Sequence, residues 1–162
     1  MIDSMQMLTV IKETLEKMGS KYASHDAQML VYRTGLVESK YQYIMQKGGS
    51  NIARGFWQCE PWVMVSLCND YLQYRKDLLK KVASICYLDW SLFTNPDEDK
   101  WRDILTTNLI AGIIACRLHY WRVPHSMPKT LDEQASYWKR WYNTSKGAGT
   151  EEHFKEIVMK YG

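Results

Sequence analysis

Apolar residues recur at helical intervals in nearly every stretch of this chain, and the residues that would break a helix fall between those stretches. Such a pattern predicts an all-α fold. The 162 residues, 46% of them hydrophobic, suffice for one sizeable core and are too few for two comfortable domains. Residues 1–162 are therefore expected to form a single domain, with no internal repeat, low-complexity tract or linker.

Leu8, Ile11, Leu15 and Met18 mark a first helix, with charged residues between them. Ser24 suits the N-cap of a second helix running through Tyr32 to about Ser39, and an irregular stretch, 40–56, carries Gly48, Gly49 and Gly55. Pro61 opens a third helix over 61–70, and a fourth is expected over 75–90 before Asn95-Pro96 breaks the chain. Residues 97–121, with Trp101, Leu105, Leu109, Ile113 and Cys116, read as one long central helix. Thr130 and Glu133 form a capping-box pattern for a helix through Tyr142, and Thr150 caps a last helix bearing Phe154, Ile157 and Val158.

Charge narrows the partners. Twenty-one Lys and Arg against 18 Asp and Glu leave +3, with the signs mixed along the chain, whereas a nucleic-acid footprint would cluster its cations. No nucleic-acid partner is expected. The amino-terminal residues lack the continuous apolar run of a signal peptide, and the apolar stretch 109–116 is too short for a membrane span, so neither Sec-type export nor a membrane anchor is expected. Cys59, Cys68, Cys86 and Cys116 lie singly among apolar neighbours and read as reduced core residues. His25, His119, His125 and His153 have no paired ligand spacing, so no metal or other cofactor is expected.

The segments that carry chemistry are Gly35-Leu36-Val37-Glu38-Ser39 and, beyond the glycine-containing loop, Ala53-Arg54-Gly55-Phe56-Trp57-Gln58, followed by Glu60-Pro61. Further on come Asn108-Leu109-Ile110-Ala111-Gly112 and Tyr142-Asn143. In this order and spacing they resemble the transglycosylase SLT family of the lysozyme-like superfamily, and most closely the lysozyme-like proteins of tailed bacteriophages. A Glu-Ser pair, a Gly-x-x-Gln motif and a Tyr-Asn pair carry the resemblance, which spans about Gln28 to Thr150. Thr144-Ser145-Lys146 stands where the family usually has Ala-Gly.

The resemblance implies a lysozyme-like helical domain with a substrate cleft, acting on peptidoglycan. Glu38 would protonate the glycosidic oxygen between N-acetylmuramic acid and N-acetylglucosamine, while the substrate's own 2-acetamido group stabilises the oxocarbenium-like centre. The same glutamate would then take a proton from the muramic 6-hydroxyl, closing a 1,6-anhydro ring, or from water. Its place at a helix C-terminus, among apolar neighbours, is expected to raise its pKa. Ser39 would orient its carboxylate, and Gly55, Phe56, Trp57 and Gln58 would line the sugar cleft. Tyr142 and Asn143 would complete it, Tyr142 either polarising the scissile region or steadying the glutamate. A phage virion or an infected-cell cytoplasm, with other virion proteins as further partners, follows from the same resemblance.

Other residues have plainer readings. Glu60, just before Pro61, suits a favourable charge at a helix N-terminus, and Asp70 belongs to the surface. Trp138 and Trp141 lie at helical spacing and read as core. Arg54 fits either a site for peptide-stem carboxylates or a buttress of the loop. Two further functions compete with the enzyme: a virion structural or wall-binding protein that keeps the fold without efficient catalysis, and a helical interaction module unrelated to glycans. Whether Glu38 faces an open cleft with Gln58 and Tyr142 nearby separates them.

Overall fold

The computed structural model describes residues 1–144 and 147–162; Ser145 and Lys146, which follow the Tyr-Asn pair, lie outside them. Nine α-helices, and no strand beyond isolated bridges, are present among the described residues. They are α1 (Ser4–Met18), α2 (His25–Ser39), α3 (Pro61–Asp70), α4 (Lys76–Ile85), α5 (Ser91–Thr94), α6 (Glu98–Thr107), α7 (Leu109–Trp121), α8 (Leu131–Trp138) and α9 (Glu151–Tyr161). Short 3-10 turns at Ser20–Tyr22 and Leu72–Tyr74 join α1 to α2 and α3 to α4.

Local signals start most of these helices. The Asp3 carboxylate accepts from the backbone N–H groups of Met5 and Gln6, and Ser24 Oγ accepts from Ala27. Thr130 Oγ accepts from the Glu133 N–H, while the Glu133 carboxylate reaches back to the N–H of Lys129 rather than that of the cap itself. Thr150 caps α9 in the same manner, through His153.

The expected helix over 97–121 is two helices. Asn108 takes an extended conformation, its side-chain oxygen accepts from the Ala111 N–H, and its Nδ2 donates to the Cys86 carbonyl. It is thus an N-cap inside an apolar run, and it splits amphipathic α6 from α7. Every residue of α7 from Ala111 to Leu118 is buried, which makes α7 the central element. The expected helix over 75–90 is shorter than read: α4 stops at Ile85, and Tyr87 turns the chain with a φ of 58°.

Helix α1 packs on α2, α4 and α7; α3 packs on α6 and α7; α8 and α2 both pack on α9. Trp57, Trp101, Trp138, Phe93 and Phe154 are among the largest buried side chains. All four cysteines are free and buried, and burial pushes the thiols of Cys59, Cys68 and Cys86 up to about 12. No helix among the described residues is long and apolar enough to cross a membrane.

Asn108→Ala removes both a helix cap and the donor to the Cys86 carbonyl. It is expected to lower stability by about 2 kcal/mol in urea unfolding, and Asn108→Asp, which keeps the cap acceptor, by roughly half that.

Candidate functional site

Glu38 sits in the last turn of α2, and the chain reverses just beyond it. Lys40 and Tyr41 both take positive φ, 52° and 53°, and Ser39 Oγ donates to the Gly35 carbonyl while accepting from the Tyr41 N–H. Buried Tyr41 folds back along α2, its hydroxyl donating to the Tyr32 carbonyl at 2.6 Å and its ring meeting Tyr32, Phe56 and Trp57. Gly35 leaves the space this ring occupies. Tyr43 then donates from its hydroxyl to the Glu38 backbone carbonyl at 3.2 Å.

The Glu38 side chain keeps partial exposure, yet its carboxyl is largely removed from water. Trp138 Nε1, from α8, donates to Glu38 Oε1 at 2.9 Å. Burial drives the carboxyl up from its ordinary 4.5 to about 7, and the Trp138 bond offsets part of that rise by stabilising the charged form. No other acid contributes to the shift, so the cause is desolvation rather than like-charge repulsion. At neutral pH the group is balanced between acid and base.

The segment 53–58 is held as a tight loop beside α6 and α7. Arg54 and Cys59 exchange both backbone hydrogen bonds at 2.9 Å, and the Gly55 N–H donates to the Ile44 carbonyl at 2.8 Å. Gly55 has a φ of 75°, and a Cβ there would come within 2.8 Å of the Leu105 carbonyl oxygen, so only glycine fits. Trp57 is buried against Gly112 of α7, its indole N–H donating to the Val31 carbonyl at 2.8 Å. Gln58, with a φ of 49°, turns back to donate from Nε2 to the Gly55 carbonyl at 2.8 Å. Arg54 braces this loop through the carbonyls of Asn51 and Ala53, which favours the buttressing reading.

Helix α8 was expected to run through Tyr142, but after Trp138 it widens into a turn of π-helix over Lys139–Asn143, closed by the Thr144 N–H on the Lys139 carbonyl. Such widened turns gather at functional sites. This one frees the Trp141 carbonyl to accept from His119 Nε2 at 2.7 Å, and burial lowers the His119 pKa. Tyr142 packs against His119 and Tyr120. Its hydroxyl donates to the Trp57 carbonyl at 2.6 Å, and burial above all, with smaller contributions from neighbours that include Glu38, holds its pKa well above the usual range.

A cavity of about 190 Å³ is lined by Gln58, Glu60, Trp62, His119, Tyr142 and Asn143 among others. A smaller one of about 150 Å³ lies between Gly55, Phe56 and Trp57 on one side and Leu105 to Gly112 on the other. The expected residues are thus divided: Gln58, Tyr142 and Asn143 line one cavity, Gly55, Phe56 and Trp57 the other, and several hold tasks other than those expected. Ser39 is spent on the helix end and does not touch the Glu38 carboxylate, because both its bonds go to backbone. Trp57 is 1% exposed, so its ring offers no open face to a sugar. Tyr142 braces Trp57 instead of reaching Glu38, and Asn143 Oδ1 accepts from Lys139 Nζ at 2.7 Å. Glu38 itself lines neither cavity, so the expected open cleft shared by Glu38, Gln58 and Tyr142 is not what these two cavities form.

Two residues acquire roles that the sequence did not suggest. Trp138 is core, as expected, and is also the one hydrogen-bond donor to the Glu38 carboxyl among the described residues. Trp62 is 55% exposed on the first turn of α3, its indole N–H bonded to the Glu60 carboxylate, and it lines the cavity. An aromatic residue directly after Pro61, on the polar side of a helix start, was the available signal. Asp70 stays on the surface, accepting from Ser66. Among the described residues no group of three metal-binding side chains occurs. Comparison with protein-family models, curated proteins and solved structures gives no match for this chain.

The raised pKa of Glu38 fixes the sign of a pH effect. The protonated form favours the fold, so this contribution is fully present below about 4.5 and is lost as pH rises to about 7. Glu38→Gln, which keeps an acceptor for Trp138 and cannot ionise, should therefore match the wild type at pH 4 and exceed its stability at pH 8 by about 3 kcal/mol. Urea midpoints at the two pH values check this; equal stability at pH 8 would mean that Glu38 is not desolvated. Trp138→Phe, which removes the stabilising donor, should raise the pKa of Glu38 further.

Proposed function

We propose that this chain cleaves the glycan strands of peptidoglycan between N-acetylmuramic acid and N-acetylglucosamine, as a lysozyme-like lytic transglycosylase or lysozyme of bacteriophage type. The observation that carries the reading is the Glu38 carboxyl, buried at a helix end, pushed up to about 7 by that burial and bonded by the neutral Trp138 indole, its one donor among the described residues. Protonation of a glycosidic oxygen needs an acid that still holds its proton near neutrality and can surrender it within a hydrogen bond's reach. The choice of a glycan substrate rests on the order of the Glu-Ser, Gly-x-x-Gln and Tyr-Asn motifs.

In this mechanism Glu38 delivers its proton to the leaving oxygen as the C1–O bond breaks, and the substrate's acetamido oxygen supports the positive charge at C1. The Glu38 carboxylate then accepts the proton of the muramic 6-hydroxyl, whose oxygen closes on C1, or that of a water molecule. One carboxyl is enough. Glu60, the next acid along the motif segment, is engaged with the Trp62 indole. Trp62 would stack on a pyranose ring beside Gln58 and Asn143. The enzyme would act on the bacterial wall from a phage particle or an infected cell.

Digestion of purified peptidoglycan with mass analysis of the released muropeptides tests the reading. Glu38→Gln should lose about a thousandfold in rate while remaining folded, and wild-type activity should fall as pH rises above about 7. Anhydro-muramyl ends identify a transglycosylase and reducing ends a lysozyme. Inactivity of the wild type on several wall types would overturn catalysis and leave a structural role in the virion as the better account.

A further inference from the structure

A separate cavity of about 230 Å³ lies between the 3-10 turn after α1, the end of α7 and α8. Its wall carries Lys21, Arg117 and His125 and not one carboxylate. Arg117 is only 2% exposed. Its Nε donates to the Tyr22 carbonyl at 2.8 Å, but no acid pairs with the guanidinium among the described residues, and none is among the influences on its pKa, which burial lowers.

Two buried donors are also left over in this region. Arg117 Nη1 and the Tyr137 hydroxyl have no hydrogen-bond partner among the described residues. Moreover, the Arg117 guanidinium lies 5.3 Å and the Lys21 ammonium 5.7 Å from the Trp121 ring, so two cations share one indole, and neither is paired with a carboxylate among the described residues. Buried charges are ordinarily paired, and a buried donor without an acceptor costs about 1–3 kcal/mol, more when it is charged. A ligand with negative oxygens would remove that cost.

We propose that this cavity binds a small oxyanion, a carboxylate or phosphate group, with Arg117 and Tyr137 donating to its oxygens and Lys21 adding charge at the rim. The guanidinium fork suits either group. Trp121 and Met127 supply apolar wall for the organic part of a larger ligand. The site is independent of Glu38 and of the glycan reading.

Isothermal titration of the full chain with inorganic phosphate, and separately with benzoate, against chloride at equal ionic strength tests the proposal. Saturable binding is expected for at least one of them. Phosphate alone would mark a phosphorylated ligand, benzoate alone a carboxylic acid, and both an oxyanion site of broad scope. Tyr137→Phe removes only an unpartnered hydroxyl and so should keep the fold while weakening binding by roughly tenfold. Lys21→Ala should weaken it less, and most at low salt. Failure of both anions to bind above the chloride control, or undiminished binding by Tyr137→Phe, would overturn the assignment.

Discussion

The indole of Trp57 is buried between α2 and α7, donating to a carbonyl of the one and resting on a glycine of the other, while its own carbonyl accepts the hydroxyl of Tyr142. Through this residue the loop, both helices and the π turn are fixed in one frame. Since Trp138 precedes Tyr142 by four residues, whatever seats Tyr142 also seats the donor that meets Glu38. The donor that meets the Glu38 carboxyl is therefore seated by aromatic packing some distance along the chain from it. Loss of the Trp57 side chain would disturb the site through its frame, without any change to the residues that hold the proton.

The same packing makes Glu38 an expensive residue to keep. Its carboxyl sits where burial opposes ionisation, and the two residues that turn the chain beyond it, Lys40 and Tyr41, hold a left-handed conformation that non-glycine residues adopt at a cost. The return is a carboxyl whose two protonation states are of nearly equal free energy at neutral pH. Strain and desolvation gathered around one titratable group are what the proposed acid role calls for.

Much of the fold was legible because its punctuation is local. Ser24, Pro61, Thr130 and Thr150 each mark a helix start through a bond or a ring that reaches at most three residues ahead, and the cysteines were readable as core from their apolar neighbours. Asn108 was missed because it stands within an unbroken apolar period, and its second bond goes to Cys86, 22 residues away. The contacts of the candidate residues were not legible in the sequence. Ser39 and Tyr142 stand beside the acid in motif order, yet their bonds run to backbone; Trp138, one hundred residues from Glu38, holds it, and no spacing rule connects the two. The widened turn after Trp138 has no residue signature of its own, although it decides which face Tyr142 presents.

Gly55 has one more implication. Because its backbone rests directly on the Leu105 carbonyl, the clearance between loop and α6 is set by main-chain atoms alone, and its N–H ties the loop back to Ile44. Residues 45–54 consequently form a handle with both ends pinned. Closing a handle twice as long would cost only about 0.6 kcal/mol more. The tip of this handle, residues 47–50, can therefore vary in length while Gln46, Ala53 and Arg54, which tie its base to the loop, hold the seat beneath it unchanged.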